Sequence, residues 1–190
     1  MFWLNLKKSA PSEPLAVSMS GIKLGDRLLV IGCGDPTLVA QLAVKTGLTG
    51  RACAVDDDAR RVEKAAHTIT REGALVETLT SPLTQLPLDN ESFDVVVLRD
   101  VLGAVETHQR VACVAEAHRV LRPGGRCVAI ETAARAGLSG LLHTRSVNAE
   151  YATSGGAEGA LTAGGFRAVR QLAERKGASF VEGLKATSHT

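Results

Sequence analysis

The sequence predicts an α/β domain built on a doubly wound, mostly parallel sheet. Three observations predict it: short apolar runs typical of buried strands, segments of helical spacing between them, and glycines at the transitions. Strands that alternate with helices are joined by right-handed crossovers, which make neighbouring strands parallel. The 190 residues are divided into an N-terminal tail or irregular cap, residues 1–20, and a single domain, residues 21–190.

Two strand–helix units open the predicted sheet. Arg27–Gly32 is a short apolar run that ends in glycine, and the segment Pro36–Lys45 places its apolar residues at helical spacing. Arg51–Asp56 is the second strand, and a helix follows it to about Arg71. Asp58 is assigned as the N-cap of that helix, because an aspartate there accepts hydrogen bonds from the amides of the first turn.

Three further strands complete the regular part of the pattern. Leu75–Leu79 is the third strand, and Phe93–Leu98 is the fourth, valine-rich as strands covered on both faces are. A helix is predicted over about Thr107–Leu121. Pro123–Gly125 then turns the chain into the fifth strand, Arg126–Glu131.

Beyond the fifth strand the pattern is less regular. Residues 133–163 are rich in Gly, Ala and Ser, and we expect them to be helical in pieces, without assigning bounds to the helices. Phe166–Glu174 and Ser179–Lys185 are predicted as two strands of a hairpin, joined at Lys176 and Gly177.

Charge and cysteine content narrow the classes of function. The chain has 22 basic and 20 acidic residues, a formal net charge of +2, and its basic residues are scattered, so no obligatory nucleic-acid partner is expected. The four cysteines are far apart and form no CxxC pair, which predicts buried free thiols, a reducing compartment and no metal site. No apolar run approaches the roughly 20 residues of a membrane span, so we expect a cytoplasmic protein without a transmembrane segment.

The segment Gly32-Cys33-Gly34 lies where the first predicted strand gives way to the first helix. In a doubly wound sheet ligands bind at this place, because the loops diverge and a helix N-terminus faces the crevice. Glycine is expected because a side chain would block the approach of a ligand to the backbone. A purely structural turn would use the same residues, but the order strand, glycines, helix favours a ligand site.

Asp56 is predicted to bind the ribose of a nucleotide. It ends the second strand 24 residues after Gly32, and an acid about 20 residues downstream accepts hydrogen bonds from both ribose hydroxyls. The alternative is that Asp56, Asp57 and Asp58 only solvate and cap the helix. We assign the cap to Asp58 and leave Asp57 open.

Several further motifs follow one another along the chain. Leu86-Pro87-Leu88 and Ser92–Val97 lead into the fourth strand, Glu116–Gly125 forms the helix and turn before the fifth, and Gly165-Phe166 precedes the sixth. Together with the glycine loop, these motifs resemble the class I S-adenosylmethionine-dependent methyltransferases, typified by enzymes of ubiquinone and menaquinone biosynthesis. The resemblance covers about residues 22–132 well and the final hairpin more loosely.

The resemblance implies a Rossmann-like, mostly parallel seven-stranded sheet whose antiparallel C-terminal strand is inserted beside the fifth. It implies a methyltransferase with S-adenosylmethionine as cofactor and a small or hydrophobic methyl acceptor. The cofactor-binding residues are then Gly32, Cys33, Gly34, Asp56, Asp57, Ser81, Leu83, Arg99 and Asp100. For Arg99 and Asp100, a solvated loop after the fourth strand is the alternative.

Four places depart from the family pattern. Val30 replaces an acid that helps to hold the amino-acid end of the cofactor, and Pro36 replaces a common third glycine. Pro82 replaces an aspartate that recognises the adenine amine, which leaves Ser81 as the neighbouring polar group. Gly103-Ala104 replaces a frequent pair of histidines.

The departures bear on cofactor affinity. A lost hydrogen bond to a charged group costs about 1.5–3 kcal/mol, so two losses would weaken binding by two or more orders of magnitude unless other groups compensate. Restoring the acid with Val30→Asp is expected to strengthen binding if residue 30 faces the pocket, and to destabilise the fold if it lies in the core.

Two functions of different classes therefore remain open: an active methyltransferase, and a degenerate methyltransferase-like domain that serves as a non-catalytic binding or interaction protein. A nicotinamide-dependent oxidoreductase is disfavoured, because Thr37 stands where GxGxxG needs its last glycine. No general base is assigned, although His108 is the best-placed histidine. The acceptor pocket is open, covered by a second subunit of a homo-oligomer, or unused.

Overall fold

This computed structural model describes residues 14–132, 149–175 and 177–187. The strands are β1 (Arg27–Ile31), β2 (Arg51–Asp56), β3 (Glu77–Thr80), β4 (Phe93–Arg99), β5 (Leu121–Thr132), β6 (Arg167–Arg175) and β7 (Ala178–Leu184). The helices are α1 (Leu15–Ser20), α2 (Pro36–Thr46), α3 (Ala59–Arg71), α4 (Thr107–Val120), α5 (Ala149–Thr153) and α6 (Gly156–Ala163), with a 3-10 turn at Leu102–Ala104.

The seven strands form one sheet in the order β3-β2-β1-β4-β5-β7-β6. The first five strands pair in parallel, and β7 is antiparallel to both of its neighbours, β5 and β6. This confirms the predicted doubly wound sheet with an antiparallel C-terminal strand beside the fifth. β2 and β3 lie on one side of β1, and the chain then returns to place β4 on the other side. A crevice therefore opens at the carboxyl ends of β1 and β4, where the strand order reverses.

The two faces of the sheet are covered by different helices. Successive residues of a strand point to opposite faces, so Leu29 and Ile31 pack toward α4 and α6, while Leu28 and Val30 pack toward α1, α2 and α3. Val30 is 1% exposed. It therefore belongs to the core of the second face.

The Pro-Gly-Gly turn lies inside β5 rather than before it. Phe93 of β4 pairs with Leu121, whereas Val95 pairs with Arg126, so the pairing register shifts across the turn. Gly124 has a φ of +73°, a left-handed conformation that glycine adopts without steric cost. The strand thus begins five residues earlier than predicted, because the residues on both sides of the turn pair with the same neighbour.

The end of the predicted N-terminal tail is helical. Residues 15–20 form α1, Val17 packs into the core beside α2, and Gly21 ends the helix at a φ of +65°. Residues 1–13, most of the irregular segment (133–148) and the predicted turn residue Lys176 lie outside the described residues. Within the part of the chain that the structure describes, none of the helices combines the length and apolar character needed to cross a membrane.

All four cysteines are buried and free, as the sequence predicts. Burial raises the pKa of Cys33 and of Cys53 to about 12. Neutral thiols of this kind pack as small apolar side chains and are poor nucleophiles at neutral pH.

Candidate functional site

The two glycines of the loop between β1 and α2 serve different purposes. Gly32 has a φ of +103°, and a Cβ there would lie 2.3 Å from the carbonyl oxygen of Arg99 and 2.9 Å from Val101 Cγ1. Close packing against the end of β4 therefore requires this glycine, a reason for glycine that the sequence did not show. A Cβ on Gly34 would meet no described atom within 4 Å, so Gly34 is the residue that keeps space open.

The start of α2 explains one departure from the family pattern. Asp35 is the N-cap, and its Oδ1 accepts a hydrogen bond of 3.1 Å from the Leu38 amide. Pro36 occupies the first position of the helix, where the missing amide hydrogen costs nothing and the fixed φ suits the helix. The proline thus helps to begin α2 at the edge of the crevice.

Asp56 ties the ends of β1, β2 and α3 together. Its carboxylate is 1% exposed, Oδ2 accepts a hydrogen bond of 2.8 Å from the Cys33 amide, and Oδ1 accepts one of 3.0 Å from the Asp58 amide. Oδ1 also accepts hydrogen bonds from Arg61 Nε (2.9 Å) and Nη2 (2.7 Å). Burial disfavours the charged form, but hydrogen bonds from Arg61 and the two amides hold the pKa of Asp56 below its usual range.

Asp58 caps α3, as predicted, and accepts hydrogen bonds from the amides of Arg60 (2.9 Å) and Arg61 (3.4 Å). We expect Asp58→Ala to lower the free energy of unfolding by about 1 kcal/mol, because the first turn loses its acceptor. Asp58→Asn keeps an acceptor oxygen and should cost much less. Urea denaturation measures the unfolding free energy of both variants. An equal loss for Asp58→Ala and Asp58→Asn would show that the acceptor oxygen of the cap contributes nothing.

A cavity of about 270 Å³ adjoins Asp57 at the end of β2. Ser81 and Leu83 line it from the β3–β4 connection, and Gln109 and Cys113 line it from α4. Its volume is just below the roughly 300–1,000 Å³ of pockets that enclose whole small molecules, so it suits one part of a ligand, such as a planar base. The Ser81 hydroxyl donates to the Gln85 carbonyl (3.1 Å), and its oxygen can still accept a hydrogen bond.

Arg99 and Asp100 join the ends of β4 and β5 to the glycine loop. The Arg99 side chain is 12% exposed and hydrogen-bonds Asp100, and its Nη2 lies 3.7 Å from Asp35 Oδ2. The Asp100 carboxylate accepts hydrogen bonds from the Thr132 amide (2.6 Å) and hydroxyl (2.7 Å). These contacts hold the Arg99 side chain in place, while the Asp100 side chain remains 41% exposed. The buried Nε of Arg99 has no hydrogen-bond partner among the described residues.

Glu131 and Tyr151 form a buried polar pair that the sequence analysis did not single out. Glu131 lies at the end of β5 and Tyr151 on α5, and Glu131 Oε1 and Tyr151 Oη both lack partners among the described residues. Burial and the charge of Asp100 raise the pKa of Glu131 to about 7, although hydrogen bonds from the amides of Leu102 and Gly103 act to lower it. A carboxyl group that titrates near neutrality therefore lies beside the crevice.

The same pair explains the glycine at position 103. A Cβ on Gly103 would lie 3.1 Å from Tyr151 Cδ1 and 3.2 Å from Glu131 Oε2, so a larger side chain would have to displace them. His108, the best-placed histidine by sequence, has a side chain that is 76% exposed at the start of α4. The carboxyl group of Glu131, rather than the imidazole of His108, is therefore shielded from solvent beside the crevice.

Comparisons with known proteins agree with this geometry. Residues 29–129 match the family model of a methyltransferase domain. The chain is 32% identical over 119 residues to the chloroplastic 2-phytyl-1,4-beta-naphthoquinone methyltransferase of Arabidopsis thaliana. The aligned residues cover 59% of this chain and 44% of that protein. It is 26% identical over 119 residues to the ubiquinone/menaquinone biosynthesis C-methyltransferase of Burkholderia vietnamiensis, with coverages of 63% and 48%. The chain thus spans about half the length of these relatives.

Solved structures share the fold at lower identity. A SAM dependent methyltransferase from Aquifex aeolicus superposes with a TM-score of 0.71 at 20% identity, covering 88% of this chain and 86% of that one. The [4+2]-cyclase SpnF superposes with a TM-score of 0.67 at 18% identity, covering 92% and 79%. Because the family match extends from β1 into β5 and covers more than half of the sequence, the chain belongs to the class I S-adenosylmethionine-dependent methyltransferase family.

Proposed function

We propose that this chain binds S-adenosylmethionine at the carboxyl ends of β1, β2 and β4 and transfers its methyl group to a small hydrophobic acceptor. The observation that carries the proposal is the placement of three features at the carboxyl ends of neighbouring strands: the open space at Gly34 after β1, the carboxylate of Asp56 at the end of β2, and the cavity that adjoins Asp57. Ligands of doubly wound sheets bind at this reversal of strand order.

The described residues fit most of the cofactor. The cavity lined by Ser81 and Leu83 suits the adenine base. Arg99, beside the glycine loop, has a buried Nε without a described partner, and a guanidinium group suits the carboxylate of an amino acid. The ribose position fits less simply, because the carboxylate of Asp56 already accepts hydrogen bonds from Arg61.

The residues of this chain would contribute position and proton transfer. When bound, S-adenosylmethionine supplies an activated methyl group on a positively charged sulfur, and the protein holds the acceptor in line with it. Transfer to carbon replaces a hydrogen, so the acceptor must also lose a proton. Glu131, with a pKa of about 7, suits that task at neutral pH.

The acceptor class follows from the names of the relatives. One is a naphthoquinone methyltransferase, and another is a C-methyltransferase of ubiquinone and menaquinone biosynthesis. We therefore propose a hydrophobic ring of the quinone class for this chain. Methyl-labelled S-adenosylmethionine and a reduced naphthoquinone test the proposal, and cofactor binding without label transfer would reject this acceptor class.

Isothermal titration calorimetry with S-adenosylmethionine and S-adenosylhomocysteine tests the cofactor site itself. We expect both ligands to bind, and we expect Gly34→Val to abolish binding, because its side chain would fill the open space. The φ of Gly34 is not in the left-handed region, and no described atom lies near its Cβ position, so the variant should keep the stability of the wild type. No binding by folded wild-type protein at millimolar ligand, or full binding by folded Gly34→Val, would contradict the proposal.

A further inference from the structure

One oxygen of the Asp56 carboxylate, Oδ1, is saturated by the protein itself. It accepts hydrogen bonds from the Asp58 amide and from two nitrogen atoms of Arg61, whereas Oδ2 accepts only one, from the Cys33 amide. Each oxygen offers about two lone-pair sites, so Oδ1 has none for a ligand and Oδ2 has one. The two hydroxyls of a ribose can therefore both hydrogen-bond Asp56 only after a donor to Oδ1 has left.

Arg61 is the donor that can leave. The two amides belong to the backbone and are fixed by the ends of β1 and α3, whereas the guanidinium group lies at the end of a flexible side chain. The Arg61 side chain is 32% exposed and that of Asp56 is 2% exposed, so Arg61 covers the carboxylate on its solvent side. Rotation of Arg61 would leave the Asp58 amide as the remaining donor to Oδ1 and so reopen that oxygen to a ligand.

Two neighbouring acids would keep the displaced cation nearby. Arg61 Nη2 lies 2.8 Å from Asp57 Oδ1, and Nη1 lies 3.8 Å from Asp58 Oδ2. A guanidinium group that leaves Asp56 retains these partly exposed partners. Displacement therefore costs less than the complete loss of a buried ion pair.

We propose that Arg61 competes with the ribose hydroxyls for Asp56 and thereby sets the affinity and the ribose selectivity of the site. The proposal rests on the proposed function, since it concerns the same cofactor crevice. With Arg61 in place, Asp56 has an acceptor site for no more than one of the 2′ and 3′ hydroxyls. Without Arg61, both hydroxyls can donate to an ionised carboxylate, which strengthens a hydrogen bond.

The test compares Arg61→Gln with Arg60→Gln, which removes the same charge from an exposed side chain one position earlier. Calorimetry measures the binding of S-adenosylhomocysteine, adenosine and 2′,3′-dideoxyadenosine. We expect Arg61→Gln to bind S-adenosylhomocysteine about tenfold more tightly and to widen the affinity ratio of adenosine to dideoxyadenosine about tenfold. Arg60→Gln should match the wild type. An unchanged ratio, or weaker binding by Arg61→Gln, would overturn the proposal.

A second variant guards against loss of folding. Arg61→Lys keeps the cation but lacks the planar fork that makes two hydrogen bonds to one carboxylate, so its affinity ratio should lie between those of the wild type and Arg61→Gln. Melting curves without ligand establish that each variant is folded. If the folded proteins all bind S-adenosylhomocysteine and share one affinity ratio of adenosine to dideoxyadenosine, the proposed competition by Arg61 is wrong. If none of them binds it, the proposed function itself fails.

Discussion

Val30→Asp is expected to destabilise the protein and to leave cofactor binding no stronger. Val30 is 1% exposed, lies on a central strand between Ala54 and Val97, and packs into the core. An aspartate there would bury a carboxyl group without a partner, so we expect a loss on the order of 4 kcal/mol of unfolding free energy. Urea denaturation measures the loss, and calorimetry with S-adenosylhomocysteine measures the affinity.

The volume-matched variant Val30→Thr separates polarity from charge. Its hydroxyl can hydrogen-bond more easily than an isolated carboxylate, so Val30→Thr should lose clearly less stability than Val30→Asp. A Val30→Asp protein that melts near the wild type and binds the cofactor more tightly would show that residue 30 faces the ligand. The burial of Val30 favours the destabilising outcome, one of the two that the sequence left open.

The other departures from the family pattern also have local explanations. Pro36 begins α2, and Gly103 leaves room for Tyr151 and Glu131. Comparison with the family pattern counts each departure as a lost contact with the cofactor. In the structure, Pro36 and Gly103 each also meet a local requirement, the start of a helix and the packing of side chains.

The fold was predictable because its signals are local. The strand Arg51–Asp56 was predicted with the bounds that the structure has, since an apolar run is bounded there by polar residues. The start of β5 was missed because its pairing with β4 continues on both sides of the Pro-Gly-Gly turn, a property of two strands rather than of one segment. Local pattern thus predicts elements better than it predicts pairing.

The site was predictable only in part. The positions of Gly34 and Asp56 follow from the order of strand, glycine and helix, and the structure brings them to the same crevice. The role of Arg61 could not be read from its spacing, because a basic residue in the first turn of a helix is common on protein surfaces. Glu131 carried a weak signal, an acid at the end of an apolar run, and Tyr151 lies in the segment without a clear pattern.

The likeness to a cyclase shows why these side chains matter more than the fold. Proteins described as a methyltransferase and as a cyclase both superpose on this chain with TM-scores above 0.6. One fold hosts several chemistries, so the reaction depends on the groups at the crevice. In this chain one such group is Glu131, whose pKa is raised to about 7 by burial and by the charge of Asp100.

Glu131→Gln is expected to remove a pH-dependent part of the stability. Burial, aided by the charge of Asp100, raises the pKa of Glu131 in the folded protein to about 7, from about 4.5 in an unfolded chain. The folded state therefore binds the proton more tightly than the unfolded state. The stability from this group is complete below about pH 4.5 and is lost as the pH rises toward and beyond 7.

The expected size is about 3 kcal/mol between pH 4.5 and pH 8, because folding raises the pKa from about 4.5 to about 7. Glutamine stays neutral, so the stability of Glu131→Gln does not fall with pH in this way. The unfolding free energy of Glu131→Gln minus that of the wild type should therefore increase by that amount over this range, as measured by urea denaturation. Glu63→Gln, at an exposed position of α3, is the control and should show a nearly constant difference. A constant difference for Glu131→Gln as well would show that folding does not raise the pKa of Glu131, and the reason to assign it the proton of the acceptor would be lost.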